Sequence, residues 1–509
     1  MNNLLNSGCK LLNKMYRFLI FITLLIINPM ASFSQELAWS LIADRRTDTK
    51  LYDRHDISTQ NNQLVLDFSE FARNRKPIKV ELSEDATPDA SFSFFTFVKS
   101  SVGSVQNTII VSNKQNASSD GWEIKTNELG GWEWNLRSNN KIVAEYKTIA
   151  SKYAINDGDF HMLGFSYDYR KNQVWIYFDG EHIGVINIDK VNASNFNTIY
   201  IGGIGDNEKT AFTGYFKKLY LFKDVMRLGS VKRLYTNNPK YKGTIGSNGT
   251  FYSRIKVLTW NVADGGTTNG NVVGPKRTLK ILKDSKADII SLIEVKNSLE
   301  YFAEGLGYYF YSINDNLAIL SRFPIKRTLK IFSADKLGAV EISISKKQSL
   351  YYFNASLDNK ADWSDFRNKY SDEAFRLKEL ESRGKDVTEI MEQINIILKP
   401  SKNTSIILSG ELNYISAEDE NGDYNTYPVS KIIHDYGFKD SYREFHPNSR
   451  VYHGYTRNAN SDKNRQGRID YILYKGKKLM VNHSQTLKKH PLKFPSSNYG
   501  VLTEFIWRK

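Results

Sequence analysis

Four short apolar runs in the C-terminal half of the chain end on, or lie beside, an amide or a carboxylate. The runs cover residues 255–261, 287–294, 406–413 and 468–473, and their polar residues are Asn261, Glu294, Glu411, Asn413 and Asp470. Runs of this length that are rich in β-branched residues predict buried strands. Because each strand brings its polar residue to the edge of a sheet, the pattern predicts one pocket that holds a hard cation and a phosphate.

The N-terminal half has short stretches of alternating polar and apolar residues, separated by turn residues. Residues 91–97, 131–136 and 174–178 are such stretches, and all are rich in aromatic side chains. Alternation with a period of two predicts an antiparallel β-sandwich. Residues 174–185 are expected to form a hairpin that turns at Asp179 and Gly180, since Asp-Gly favours a tight two-residue turn.

The first 34 residues have the pattern of a secretory signal peptide. Lys14 and Arg17 precede the apolar run 18–27, and Ser32 and Ser34 occupy the positions that specify cleavage. The run is too short for a transmembrane helix, and no stop-transfer pattern follows it. We therefore expect a mature chain that begins at Gln35, has no membrane span and is secreted, periplasmic or on the cell surface. An uncleaved anchor is the alternative, and Met15 is an alternative start.

Composition and charge narrow the possible chemistry. Cys9 is the only cysteine and precedes the predicted cleavage point, which excludes disulfides, thiolate metal sites and cysteine nucleophiles from the mature chain. The formal net charge of +15 suits an anionic partner such as nucleic acid, lipid phosphate or a cell-surface polymer. A basic rim in the segments beside Asp470 and Asn498 is predicted from a late group of lysines at 475, 477, 478, 488, 489 and 493, with solubility as the alternative role.

The order of the C-terminal motifs resembles the endonuclease/exonuclease/phosphatase superfamily, the metal-dependent phosphoesterases that include DNase I-like nucleases. Asn261 matches the asparagine of the first motif, Glu294 matches the metal-binding glutamate, and Asp470 matches the aspartate that orients a catalytic histidine. Residues 410–413 resemble the Gly-Asp-x-Asn motif with Glu411 in place of the aspartate. Residues 438–443 and 452–456 resemble the intervening segments of secreted members.

This resemblance implies an α/β four-layer sandwich, in which two packed β-sheets are flanked by helices. One flanking helix is expected at 387–398, where apolar residues share a face and lead into the strand before Glu411. The charged stretch 359–386 is longer than a tight connection needs. It is interpreted as a solvated helix, with a segment that overhangs the active face as the alternative.

Both histidine positions of the resemblance hold other residues. The His-Leu-Asp motif corresponds to Ser356, Leu357 and Asp358, and the closing Ser-Asp-His motif corresponds to Ser496, Ser497 and Asn498. An amide cannot take up a proton near neutral pH, and general acid–base help is worth about 10²–10⁴-fold in rate. We expect His453 and His490 to be loop or surface histidines rather than replacements.

The resemblance implies roles for the candidate residues, and two functions stay open. Glu294 and Glu411 are expected to bind Mg²⁺ or Mn²⁺, Asn261 and Asn413 to hold phosphate and water, and Asp470 to orient the group opposite it. Ser356 and Asn498 complete the candidate catalytic set. One function is hydrolysis of an anionic phosphoester: nucleic acid, phospholipid or a small phosphodiester. The other is a pseudoenzyme, a secreted protein that binds glycan or phosphate in adhesion.

The N-terminal strands resemble the laminin-G/concanavalin-like jelly roll, chiefly over residues 159–168, 174–185, 199–203 and 214–222. The resemblance implies glycan or cell-surface binding through exposed Trp122, Trp132 or Trp134; the favoured alternative is that these residues are core. A Ca²⁺ site at Asp157, Asp159 and Asp206 is the other candidate, with turn chemistry as the alternative. The predicted organisation is signal peptide 1–34, sandwich 35–235, linker 236–254 and phosphoesterase-like domain 255–509.

Overall fold

The computed structural model describes most of the chain beyond the predicted signal peptide. The described residues are 36–42, 57–60, 63–72, 75–84, 90–101, 107–191, 196–204, 211–237, 251–331, 335–357, 371–399, 401, 403–420, 422–457, 467–488, 490 and 494–508. Cys9, the predicted signal peptide, Asp206 and Asp358 lie outside them. In these ranges, no helix combines the length and the apolar character needed to cross a bilayer.

The N-terminal domain is a sandwich of two antiparallel sheets, as predicted. The first sheet contains β1 (Leu37–Ile42), β2 (Ile57–Gln60), β3 (Gln63–Asp67), β5 (Phe92–Ser100), β10 (His161–Asp168), β11 (Gln173–Phe178), β12 (Glu181–Asn187) and β14 (Gly214–Phe222). The second contains β4 (Ile78–Glu81), β6 (Ile109–Ser112), β7 (Gly121–Thr126), β8 (Trp132–Ser138), β9 (Lys141–Lys147) and β13 (Thr198–Ile201). Helix α1 (Leu228–Thr236) follows the last strand.

Two local predictions for this domain can be compared with the structure. Strands β11 and β12 form the expected hairpin, and Asp179 and Gly180 both have positive φ angles, 48° and 79°, as the tight turn requires. Trp122, Trp132 and Trp134 are at most 1% exposed. The interpretation of these tryptophans as core is therefore confirmed, and the expectation that they bind glycan from an exposed position is wrong.

The C-terminal domain also contains two sheets. Its first sheet has β15 (Arg254–Asn261), β16 (Ile289–Ile293), β17 (Tyr309–Ser312), β18 (Leu317–Ser321), β25 (Leu479–Leu487) and β26 (Gly500–Trp507). Its second has β19 (Ile325–Thr328), β20 (Leu337–Ser345), β21 (Gln348–Ser356), β22 (Ile406–Glu411), β23 (Lys439–Asp440) and β24 (Asp470–Lys475). The helices are α2 (Val273–Ser285), α3 (Leu299–Leu306), α4 (Asp372–Glu379), α5 (Lys385–Leu398), α6 (Pro428–Asp435) and α7 (Ser441–Phe445).

Buried side chains show four layers in this domain. Ile289 and Ile472 belong to the core between the two sheets. Phe302 of α3 belongs to the core on the outer side of the first sheet, and Met391 of α5 to the core on the outer side of the second. The predicted α/β four-layer sandwich is therefore confirmed.

The helical part of the charged stretch is only partly solvated. Helix α4 buries Phe375 and Glu379, so it packs against the domain along one face. A π-helical turn (Leu380–Gly384) joins it to α5. Residues 358–370 lie outside the described ranges, and an overhang of the active face by that segment stays a prediction.

The sheets of the two domains are joined edge to edge. Strand β12 pairs in parallel with β17, with Gly184 opposite Phe310 and Ile186 opposite Ser312. In the described part of the chain, one 14-stranded sheet therefore passes through both domains. A Cβ atom at Gly184 would lie 2.0 Å from the Phe310 ring, so the ring can pack over this point of β12 because residue 184 has no side chain. The boundaries 35–235, 236–254 and 255–509 stay predictions.

Candidate active site

The polar side chains predicted to converge do so at the ends of β15, β16 and β22. Asn261 Nδ2 donates to Glu294 Oε1 at 2.8 Å and to Glu411 Oε2 at 2.7 Å. Asn413 Nδ2 donates to Glu411 Oε1 at 3.0 Å and to the Leu357 carbonyl at 2.7 Å. The Glu411 carboxylate therefore accepts hydrogen bonds from two side-chain amides, and Glu294 and Glu411 share the amide of Asn261.

The backbone at these strand ends has left-handed conformations and one unusually close approach between strands. Glu294 and Asn413 have φ angles of 53° and 50°, which non-glycine residues adopt only where their surroundings hold them. The Glu294 carbonyl accepts a hydrogen bond of 2.6 Å from the Gly265 amide. A Cβ atom at Gly410 would lie 1.8 Å from the Ala355 carbonyl oxygen. The glycine before Glu411 is therefore needed for β22 to approach β21.

Asp470 and Asn498 form a second pair beside this cluster. Asp470 is the ladder partner of Glu411 across β24 and β22, and it is fully buried. Asn498 Nδ2 donates to Asp470 Oδ2 at 3.2 Å, and the Ser497 hydroxyl donates to Asn498 Oδ1 at 3.2 Å. Asn498 thus faces Asp470, where the resemblance expects a histidine.

Ser356, at the other histidine position, also borders the cluster. It is the ladder partner of Glu411 in the parallel pairing of β21 with β22, and it is half-buried. The structure therefore brings all the predicted site residues to one edge of the sandwich. Their catalytic and metal-binding roles stay predictions.

The negative charges of Glu411 and Asp470 are poorly compensated by their surroundings. Burial raises the pKa of Glu411, and the nearby charge of Glu294 raises it further, although the amides of Asn261 and Asn413 oppose the shift. Burial raises the pKa of Asp470 well above its usual range, and the charge of Glu411 adds to this. Acidic groups that are pushed towards protonation in this way would be stabilised as anions by a cation.

The donor set fits a hard divalent cation. Asn413 Oδ1 and Asp470 Oδ1 are buried and accept no hydrogen bond within the described residues, so two oxygen acceptors are unsatisfied here. Within the same residues, no three His, Cys, Asp or Glu side chains form a metal cluster. Glu294 and Glu411 share the Asn261 amide and so form a carboxylate pair. One or two carboxylates with waters are sufficient for a hard cation such as Mg²⁺.

A pocket of about 300 Å³ opens beside Asn413. Arg450, His453, Tyr455 and Arg457 line it, and the positive charge of Arg457 acts to lower the pKa of Glu411. Neither Arg450 nor Arg457 was predicted from the sequence. Arg457 directly follows the segment 452–456 that resembles a family segment, and this adjacency was the available signal.

The predicted basic rim is wrong for Lys475. This residue ends β24, whereas Asp470 begins it, and Lys475 pairs with Ile406 at the start of β22. The Lys475 ammonium group donates to the Tyr436 carbonyl at 2.6 Å. It therefore lies at the end of the sheet remote from the cluster. Lys489 and Lys493 lie outside the described residues.

Other candidate residues have local partners. His490 Nδ1 lies 3.4 Å from Arg277 Nη2, and His453 stacks on Tyr455. Asp157 accepts a hydrogen bond from the Asp159 amide at 3.0 Å, as in an Asx turn. Its carboxylate also lies 3.1 Å from His161 Nε2. The turn interpretation accounts for these contacts, and a Ca²⁺ site in this domain stays a prediction.

Comparison with family models gives two matches. Residues 76–232 match the concanavalin A-like lectin/glucanases superfamily, and residues 258–372 match the endonuclease/exonuclease/phosphatase family. No curated protein matches the chain significantly.

Several solved structures are similar to about half of the chain. TDP2 from Caenorhabditis elegans is 18% identical over 50% of this chain and 74% of its own, with a TM-score of 0.37. An endonuclease/exonuclease/phosphatase from Beutenbergia cavernae is 14% identical over 50% of this chain and 72% of its own, with a TM-score of 0.35. A family protein from Bacteroides thetaiotaomicron is 16% identical over 50% and 96%, with a TM-score of 0.35.

Proposed function

We propose that this chain, in which residues 76–232 match the concanavalin A-like superfamily and residues 258–372 match the endonuclease/exonuclease/phosphatase family, is a phosphoester hydrolase that depends on Mg²⁺ or Mn²⁺. The observation that carries the proposal is the Asn261 amide, which bonds to Glu294 and Glu411 together. Two carboxylates fixed at one amide form an oxygen donor pair for a hard cation.

Each residue of the cluster has a distinct task in this proposal. Glu294 and Glu411 hold the ion, and Asn413 offers its unsatisfied Oδ1. When bound, the ion would neutralise phosphate charge and lower the pKa of a bound water. Arg457 binds a phosphate oxygen, since a guanidinium matches phosphate geometry. Asn261 keeps the two carboxylates at a fixed separation.

The missing histidines set the expected rate. Neither the Ser356 hydroxyl nor the Asn498 amide takes up a proton near neutral pH. We therefore expect turnover that is slower, by about 10²–10⁴-fold, than that of a variant whose proton-transfer group is restored. The substrate is an anionic phosphodiester, in keeping with the net charge of +15.

A second candidate function is phosphate binding without catalysis. The observation that favours it is the hydrogen bond between Asn498 and Asp470, because an amide occupies the place where the family has a proton acceptor. In this case the carboxylate pair binds a cation and a phosphate group, and the N-terminal domain acts in adhesion to a glycan or cell surface.

Hydrolysis of bis-p-nitrophenyl phosphate separates the two functions. The mature chain is assayed with Mg²⁺, with Mn²⁺ and with EDTA, beside Glu294→Ala and the matched exposed control Glu392→Ala. Turnover that needs the metal, is lost in Glu294→Ala and persists in Glu392→Ala supports the hydrolase.

A variant that carries Ser356→His, Ser497→Asp and Asn498→His is assayed in parallel. If the native chain is silent and this variant is active, the binding function is supported instead. If both are silent with every metal, the hydrolase proposal is wrong.

We also propose that the protein is secreted. The support is the pattern of the first 34 residues, with a basic start, a short apolar run and small residues at 32 and 34. N-terminal sequencing of the exported chain is expected to begin at Gln35. A start at Met1 or Met15 in the exported chain would contradict cleavage.

A further inference from the structure

The pocket beside Asn413 contains an aromatic platform that the hydrolase proposal does not use. The rings of His453 and Tyr455 are 5.0 Å apart, and their planes differ by 7°. His453 is exposed and Tyr455 is half-buried, and both line the pocket with Arg450 and Arg457. A flat ring that enters the pocket can stack on this pair. The pocket lining also carries four arginines and two acidic residues: Arg443, Arg450, Arg457, Arg468, Asp419 and Glu420.

The platform stands on a rigid support. Arg443 is 4% exposed, and its guanidinium donates to the carbonyls of Tyr452 at 2.7 Å and His453 at 3.0 Å. The same guanidinium pairs with Asp419, which also accepts hydrogen bonds from buried Arg468. The backbone that carries His453 is therefore fixed, which limits the entropy lost when a ligand stacks on it.

We propose that this pocket binds the base of a nucleotide phosphoester whose phosphate lies between Arg457 and Asn413. The proposal rests on the proposed function, because it places the reacting phosphate at the carboxylate cluster. Stacking of a base on an aromatic side chain is worth about 1–3 kcal/mol. A volume of about 300 Å³ is at the small end of ligand pockets. A pocket of this volume can hold one nucleotide and is too small to enclose an oligonucleotide.

The test compares binding of adenosine 5′-monophosphate, ribose 5-phosphate and inorganic phosphate to the mature chain by calorimetry, with Mg²⁺ and separately with EDTA. The readout is the ratio of affinities for the first two ligands, because both carry the same phosphate and only one carries a base. We expect the nucleotide to bind at least about fivefold more tightly, the lower limit of one stacked base.

Three variants test whether the aromatic platform causes the preference for the nucleotide over ribose 5-phosphate. His453→Ala is expected to abolish the preference, Arg457→Ala to weaken all three ligands alike, and His434→Ala, an exposed histidine on α6, to change nothing. Equal affinity for the nucleotide and ribose 5-phosphate, or a preference that survives His453→Ala, would overturn the proposal. Nucleotide binding in a chain that hydrolyses no phosphoester would refute the hydrolase alone.

A second inference, carried by different contacts, concerns Asn187 at the end of β12 in the N-terminal domain. Its Nδ2 donates to the Ile313 carbonyl at 3.0 Å and to the Tyr311 hydroxyl at 2.9 Å. Its Oδ1 accepts from the Tyr311 hydroxyl at 3.1 Å and from Gln173 Nε2 at 2.7 Å. The Asn187 side chain therefore links the N-terminal domain to Ile313 of the C-terminal domain. Ile313 begins the tight turn 313–317, which joins β17 to β18.

That turn holds the backbone next to Glu294. The Val295 amide donates to the Asn316 carbonyl at 3.2 Å, and the Lys296 amide donates to the Asp315 carbonyl at 2.9 Å. Glu294 itself has a φ angle of 53°, which needs support from its neighbours. The contacts thus form a continuous path from Asn187 through the turn to the candidate metal ligand.

We infer that Asn187 is a positioning residue for Glu294, so that the N-terminal domain helps to shape the cation site. This inference also rests on the proposed function. Groups that support a metal ligand typically contribute 10–100-fold to metal affinity. The matched control is Thr148→Val, which removes another buried hydrogen bond between the domains, from Thr148 to Glu304, but does not touch the 313–317 turn.

Two measurements test the role of Asn187. Asn187→Ala is expected to weaken Mn²⁺ binding by about tenfold, followed by electron paramagnetic resonance. It is also expected to speed hydrogen exchange of the Val295 and Lys296 amides in metal-free protein. Thr148→Val should leave both unchanged. Unaltered exchange at those amides in Asn187→Ala, or the same increase in Thr148→Val, would overturn the inference; a native chain that binds no Mn²⁺ would instead refute the metal-dependent function.

Discussion

The Glu304 carboxylate on α3 accepts a hydrogen bond of 2.7 Å from the Thr148 hydroxyl, which belongs to the other domain. Three further donors of the same N-terminal loop reach this carboxylate: the amide of Ile149 at 2.6 Å, the hydroxyl of Ser151 at 3.3 Å and the amide of Lys152 at 3.0 Å. Glu304 is 6% exposed. The buried Glu304 carboxylate thus accepts hydrogen bonds from four donors in the loop 148–152, across the junction of the two domains.

We expect Glu304→Gln to lower the free energy of unfolding by about 1.5–3 kcal/mol, the usual worth of a hydrogen bond to a charged group. Glutamine keeps one acceptor oxygen and places an NH₂ group against N–H and O–H donors. Urea denaturation followed by tryptophan fluorescence measures the change. Glu420→Gln, at an exposed position, is the control and should be neutral. An unchanged denaturation midpoint in Glu304→Gln would contradict the role of this carboxylate at the junction.

The joined sheet makes a second prediction about the junction. Gly184→Ala would place a methyl group 2.0 Å from the Phe310 ring, so β12 and β17 must separate or the ring must move. Overpacking of this kind typically costs about 1–3 kcal/mol. Gly229→Ala in α1 is the matched control, since no atom lies within 4 Å of its added Cβ, and it should be neutral or stabilising. Thermal unfolding of both variants gives the comparison, and equal midpoints would argue against a tight junction.

Much of the fold was predictable because it depends on local patterns. The apolar, aromatic-rich run 174–178 and the Asp179-Gly180 turn predicted the hairpin, and the face shared by Val387, Ile390 and Ile394 predicted α5. The cluster was predictable for a similar reason. Asn261 and Glu411 end buried strands and Glu294 directly follows one, and these strand ends meet at one edge of the sandwich.

The rest depends on contacts between residues far apart in the chain. The pairing of Gly184 with Phe310 joins strands that are separated by more than a hundred residues, and neither strand has a pattern that specifies its partner. Arg457 and Lys475 illustrate the same difficulty at the site. Both are cationic and follow or end a recognisable segment, yet Arg457 lines the pocket beside the cluster while Lys475 lies at the far end of β24.

Glu379 gives a prediction for the pH dependence of stability. Burial on α4 raises the pKa of its carboxyl from 4.5 to about 8, although the Val429 amide contacts one oxygen at 3.4 Å. The folded state therefore keeps the proton between about pH 4.5 and 8, where the unfolded state loses it. Stability consequently falls as pH rises through this range, at about 1.4 kcal/mol for each unit of pKa difference.

Glu379→Gln should remove this contribution, because glutamine has no proton to lose. We expect its free energy of unfolding to fall less steeply than that of the native chain between pH 5 and 8, measured by urea denaturation at several pH values. Glu392→Gln, on the exposed face of α5, should follow the native curve. Parallel curves for the native chain and Glu379→Gln would show that this carboxyl does not titrate as expected.

The substitution Glu411→Gln is expected to have opposite effects on thermal stability with and without a divalent cation. Burial and the charge of Glu294 raise the pKa of Glu411, so loss of its proton as pH rises lowers the stability of the metal-free chain. Glu411→Gln removes the charge of Glu411, and we expect it to unfold at a higher temperature than the native chain in EDTA.

With Mg²⁺ we expect the native chain to be more stable than Glu411→Gln. A cation that binds only the folded native chain stabilises it by about 2.7 kcal/mol at a hundred times its dissociation constant. Glu411→Gln retains Glu294 but has lost one carboxylate of the pair, so its gain from Mg²⁺ should be much smaller. Differential scanning calorimetry with EDTA and with increasing Mg²⁺ measures both effects, and Glu392→Gln serves as the control. A variant that is destabilised in EDTA, yet gains as much as the native chain from Mg²⁺, would show that Glu411 acts in packing and not at a cation site.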